Sequence, residues 1–126
     1  MLGKRLIQFK GFRDPNRDAQ TDLQRSEKVL QAIMEALSGL DVERTGLGRR
    51  VEELRAWVGG LMGSEDGSDG HREGRVEVEL VEAERQLMQG LKRLSDLAVI
   101  RGSYRDLQTT IASERERALQ AARADG

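Results

Sequence analysis

The sequence predicts an all-α fold: a helical hairpin or bundle of three to four helices ending in one long amphipathic helix that is partly coiled-coil-like. Three observations predict it. Over residues 76–111 apolar side chains recur at steps of three and four, through Val76, Leu80, Ala83, Leu87, Leu91 and Leu94, then Leu97, Ile100, Tyr104, Leu107 and Ile111, which places them on one helical face. Charged residues make up 34% of the chain and aromatic residues 3%, with one proline, a balance that favours thin helix-to-helix seams over a sheet-based core. A single glycine-rich polar stretch divides the chain into two halves of nearly equal length.

At 126 residues the chain fits one domain. Cysteine is absent, which removes disulfides, thiolate nucleophiles and the commonest structural zinc sites. No apolar run reaches the length of a membrane span, and the N-terminus lacks the apolar core and cleavage site of a secretory signal, so a soluble cytoplasmic protein is expected. With 21 basic and 22 acidic side chains the net charge is −1; whole-chain electrostatics make no case for nucleic acid or membrane, and any such case is local.

Residues 1–14 form a basic amphipathic arm. Over residues 1–17, Lys4, Arg5, Lys10, Arg13 and Arg17 stand against Asp14 alone, interleaved with Leu2, Leu6, Ile7, Phe9 and Phe12. Such an arm suits a protein partner or its own bundle, with nucleic-acid phosphates and a membrane surface as less favoured readings. Asp14-Pro15 is a helix start, with Asp14 as the cap and Pro15 at the first helical position. Residues 15–62 then read as two helices. The first carries Leu23, Val29, Leu30, Ile33, Met34 and Leu37 and stops near Gly39. The second is weakened early by Gly46 and Gly48 and turns Val51, Leu54, Trp57, Val58 and Leu61 inward.

Residues 63–74, GSEDGSDGHREG, read as a loop with too little apolar surface to pack. Residues 75–123 read as one long helix. Gly102-Ser103 offers a break, but the apolar spacing continues through it. A one-residue shift of phase near Gly90 to Leu97 argues against a strict heptad repeat. Unbroken, each half would run roughly 70 Å; breaks near Gly39 and Gly102 would instead give four helices of ordinary length. The spacing points between these limits.

No catalytic, cofactor-binding or metal site is expected. His71, the one histidine, lies in the glycine-rich stretch, where rigid convergence of partners is hard to achieve. Read as a calcium loop starting at Glu65, that stretch has Gly67 and Val76 where ligands are required. Glu77, Glu79, Glu82 and Glu84 point around too much of a helix to form one site. Trp57-Val58-Gly59 resembles, over three residues, the Trp-x-Gly turn of the small helical-hairpin substrates of type VII secretion. That family's C-terminal Tyr-x-x-x-Asp/Glu signal is missing, since Gln108 stands four residues after Tyr104. Trp57 reads more simply as a core anchor.

The functional expectation is a non-enzymatic helical interaction protein: an adaptor, assembly chaperone or structural subunit that binds a protein partner, a second copy, or both. The residues expected to carry it are Leu6, Ile7, Phe9 and Phe12 of the arm with Leu97, Ile100, Tyr104 and Leu107 of the long helix. The alternative is a small nucleic-acid-associated regulator that uses the basic arm.

Overall fold

A computed structural model describes residues 14–63 and 70–124, with the side chains of residues 63 and 70–73 left aside. Within them the chain is helical: α1 is Pro15–Gly63 and α2 is Gly70–Ala124. The arm, except Asp14, and residues 64–69 lie outside the described residues.

The start of α1 follows from its first residues. Asp14 caps it: the Asn16 amide donates to Asp14 Oδ1 at 3.1 Å and the Asp18 amide donates to the Asp14 carbonyl at 3.1 Å, satisfying end donors that Pro15 does not add to. Two helices replace the expected three to four, because α1 does not stop at Gly39. It runs through Gly39, Gly46, Gly48, Gly59 and Gly60, although each costs about 1 kcal/mol relative to alanine. Inward apolar residues continue on both sides of every one of them, so packing overrides local propensity. α2 likewise runs through Gly102, and it begins at Gly70, inside the stretch expected to be a loop.

The helices pack as two compact units. Unit 1 takes the described residues up to Ala36 with those from Tyr104 onward, and unit 2 is Leu37–Ser103. In each, segments of α1 and α2 run antiparallel. In unit 1, Asn16, Ala19, Leu23, Ser26, Leu30 and Ile33 turn inward, and α2 supplies Tyr104, Gln108, Ile111, Arg115, Ala118 and Ala122. In unit 2 the α1 line is Leu37, Leu40, Leu47, Val51, Leu54, Val58 and Leu61, interrupted by exposed Arg44. Its α2 line is Val76, Leu80, Ala83, Leu87, Gly90, Leu94, Leu97 and Arg101. Both helices therefore alternate steps of three and four without a phase shift. The shift expected near Gly90 disappears because Gly90 and Arg101, rather than Leu91 and Ile100, hold the central line.

Gly90 sets the approach of the helices in unit 2. A Cβ built on it would lie 2.9 Å from Val51 Cγ2, closer than real side chains sit. Ion pairs then fix which residues face each other. Arg93 grips Glu43 through two bonds, Nε to Oε2 at 2.7 Å and Nη2 to Oε1 at 3.1 Å, and Arg101 Nε reaches Asp41 Oδ1 at 3.1 Å. In unit 1, Arg115 Nη2 reaches Glu27 Oε1 at 3.3 Å. Arg101 and Arg115 start from inward positions and carry their charge out to the rim along their aliphatic stems. Such half-exposed pairs contribute little stability each, but a charge held at an inward position specifies register.

Candidate interaction surfaces

The inward lines leave two flanks and an outer face on each helix pair, and accessible apolar surface lies on both: Val29, Met34, Trp57, Met62 and Leu107 stand on flanks, whereas Val42, Val78, Val81, Met88 and Val99 stand on the outer faces. Ten large apolar side chains among the described residues stay exposed: Val29, Met34 and Leu107 in unit 1, and Val42, Trp57, Met62, Val78, Val81, Met88 and Val99 in unit 2. Among the described residues, only Ala19, Val51, Ala83, Leu97 and Ala118 are buried hydrophobic side chains.

In unit 1 Val29 and Leu107 border a groove of about 380 Å³ that they form with Ala32, Ile33, Ala36 and Tyr104, with Lys28 at its edge. Its shape follows from side-chain size. Val29, Ala32 and Ala36 lie on one stripe beside the inward line, and the two alanines leave a hollow between the larger Val29 and Leu107. On the opposite flank Leu30, Met34 and Ala112 share a second groove, of about 570 Å³, with Gln108, Thr109, Ser113 and Glu116.

In unit 2 a groove of about 370 Å³ has Leu47, Val51, Leu54 and Gly90 as its floor and Arg50, Arg85 and Arg93 at its rim. Two of these guanidinium groups are occupied. Arg93 holds Glu43, and its hydrogen bonds, aided by its charge, keep that carboxyl below the usual carboxylate range. Arg85 binds Glu82 through Nη2 and Nε, Nη2 to Oε1 at 2.6 Å. Those bonds, then one from Gln86, then the Arg85 charge, hold the Glu82 carboxyl down to about 2. Arg50 alone of the three has no carboxylate partner among the described residues.

The residues expected to meet a partner fall in different places. Leu97 is 1% exposed and packs inside unit 2: it moves from the partner face to the interior, because it lies on the central line of α2. Ile100 and Tyr104 are half-buried, and Leu107 is 51% exposed. Leu6, Ile7, Phe9 and Phe12 lie outside the described residues. Trp57 is 46% exposed on a flank of α1 and anchors no core, and the helix continues through Val58-Gly59 to Gly63 without a turn. Val29 and Met34, expected inward, stand on the two flanks instead. Ala32 and Ala36 were not singled out from the sequence; the signal for them was the seven-residue spacing from Val29 to Ala36, legible once the central line is placed through Leu30, Ile33 and Leu37.

Among the described residues no helix is long and apolar enough to cross a membrane, and no group of three or more His, Asp or Glu side chains is arranged to hold a metal ion. His71 lies near the start of α2, among the residues whose side chains are left aside. Compared with known proteins, the chain matches no family profile, no curated protein and no solved structure.

Proposed function

We propose that this chain is a non-enzymatic helical interaction protein, an adaptor, assembly chaperone or structural subunit that works in the cytoplasm by binding another protein or a second copy of itself. The observation that supports it most is the set of ten large apolar side chains left exposed on two helices. A pair of helices can bury one stripe of each, and the apolar side chains outside it, on flanks and outer faces, gain from being covered by a further surface. We read the uninterrupted three-and-four spacing as an antiparallel coiled coil within each unit, a scaffold that displays its flanks at fixed intervals. The arm residues Leu6, Ile7, Phe9 and Phe12 and the α2 residues Ile100, Tyr104 and Leu107 are the proposed contacts.

A native-lysate pull-down with the full chain and with Leu107→Asp, read by mass spectrometry, tests this reading alongside light scattering of the pure protein. One protein complex, or a homo-oligomer, that is held by the full chain and weakened at least tenfold by Leu107→Asp is the expected result. A monodisperse monomer that captures no protein sinks it. The basic arm favours a second reading, a nucleic-acid-associated regulator; its mark is binding that falls steeply with salt and depends on Lys4, Arg5, Lys10 and Arg13.

A further inference from the structure

The groove of unit 1 has a candidate occupant in the same chain. We propose that, when no partner is bound, residues 1–13 fold back in cis and lay their apolar side chains into the groove formed by Val29, Ala32, Tyr104 and Leu107. This concerns the chain by itself and does not depend on the partner proposed above.

Reach allows it. The groove opens at Val29, which is 14 residues beyond Pro15 on α1, or about 21 Å at 1.5 Å per residue. Thirteen residues of chain span at most about 45 Å, so the middle of the arm, where Leu6, Ile7 and Phe9 stand, comes level with the groove while its end passes Ala36. Composition matches it: the arm contains both phenylalanines of the chain, and the groove is lined by apolar side chains with Lys28 only at its edge.

Charge favours the same path. On α1 the stripe that leads to the groove reads Asp18, Asp22, Arg25, Val29, and on α2 Glu114 stands seven residues, two helical turns, beyond Leu107. Asp22 has Arg25 at 3.8 Å and Glu114 has Arg117 at 3.2 Å on their own helices, while the Asp18 carboxylate has no ion pair among the described residues. A net acidic approach thus lies between Pro15 and the groove, where Arg13 and Lys10 of a returning arm would pass.

Size selects a tethered occupant over a free one. Six lining side chains fall well short of the roughly 800 Å² per partner that a stable interface between two copies buries. A segment joined to the groove by a short linker meets it at an effective concentration of the order of millimolar, so a small apolar contact suffices.

The chain has no cysteine, so an introduced pair of thiols has no competitor. Leu107→Cys is combined in turn with Leu6→Cys, Ile7→Cys, Phe9→Cys and Phe12→Cys, and each double variant is oxidised mildly at low micromolar concentration. The control pairs Phe9→Cys with Met88→Cys, at an exposed position of unit 2. At least one arm position is expected to form an intramolecular disulfide with position 107 at least tenfold faster than the control. The product keeps the monomer mass, its rate is unchanged on dilution, and Lys10→Glu with Arg13→Glu slows it several-fold. Disulfide-linked dimers whose yield rises with concentration would assign the groove to a second copy and overturn the proposal. So would rates at all four positions no faster than the control. Circular dichroism of each variant confirms that the helices are intact.

Discussion

Units 1 and 2 share one spacing and differ in what fills it. In unit 2 the inward lines are mostly leucine and valine, with Ala83, Gly90 and Arg101 among them and exposed Arg44 interrupting one, and Val51, Ala83, Gly90 and Leu97 are sealed from solvent. In unit 1 the same positions include Asn16, Ser26, Gln108 and Arg115, and the sealed residues are the two alanines Ala19 and Ala118. Burying a leucine yields about 1.5–3 kcal/mol and an alanine far less. Two of the three described ion pairs between the helices also lie in unit 2. The period of the apolar pattern therefore specifies the helix pair, whereas the identity of the residues on the central line decides how firmly it is held. Unit 1 is the looser part, and its flank carries the apolar groove, in keeping with binding surfaces being drawn from the less stable parts of a fold.

The largest effect that breaks this comparison is Leu97→Ala. Truncating the fully enclosed Leu97 removes its contacts and leaves a cavity, at a cost of about 2–5 kcal/mol. Ile111→Ala, on the corresponding line of unit 1 but half-buried, costs about half as much on area grounds. Urea unfolding of the two variants measures both. Equal losses would mean that unit 1 is packed as tightly as unit 2 and would remove the contrast.

Glycine substitutions sharpen the comparison at a smaller scale. At Gly102 and Gly39 an added Cβ meets nothing within 4 Å, so alanine there gains roughly 0.5–1 kcal/mol of helix propensity. At Gly90 the same methyl meets Val51 at 2.9 Å. Val51 is buried and β-branched, with little freedom to turn aside, and overpacking of about 1–3 kcal/mol exceeds the propensity gain. Gly90→Ala is expected to lower the thermal midpoint and Gly102→Ala to raise it. A rise in both would show that the helices separate to admit the methyl group.

The helical class, the cap at Asp14 and most of the central line were legible in the sequence, because capping chemistry and spacing are local properties. The number of helices was not. Glycine reads locally as a stop, and nothing local shows that packing on both sides of Gly39 carries α1 through it. Leu91 and Ile100 drew the expected stripe off course near Gly90, since hydrophobicity marks candidates for the interior while geometry admits a glycine and an arginine stem there. Trp57 fell to the same rule: its bulk suggested a core, and its register put it on a flank. Of the interaction residues, the spacing puts Leu107 on the same stripe as Leu97 and Tyr104, but the central line passes through Gln108 and leaves Leu107 on an exposed flank; the hollow at Ala32 and Ala36 depends on small side chains that apolar patterning undervalues.

The smallest effect expected is acid sensitivity at the rim of unit 2. The Glu82 carboxyl is held down to about 2 by hydrogen bonds from Arg85 and Gln86 and by the Arg85 charge, and Glu43 is lowered in the same direction by Arg93. A carboxyl whose folded value lies below its unfolded one adds stability in full above the ordinary carboxylate range, and that contribution is lost as pH falls from there toward the folded value. Both carboxyls lie at the surface, about half exposed, so solvent and salt screen them and the loss is slight. Urea midpoints of the wild-type chain are expected to drift downward between about pH 4.5 and 2, with Glu82→Gln and Glu43→Gln each flattening the drift and 1 M salt nearly removing it. A carboxyl ¹³C titration should place the inflection of Glu82 near 2. An ordinary carboxylate value there would mean that the Arg85 contact does not persist in solution, and the rim of unit 2 would then owe its order to the apolar seam alone.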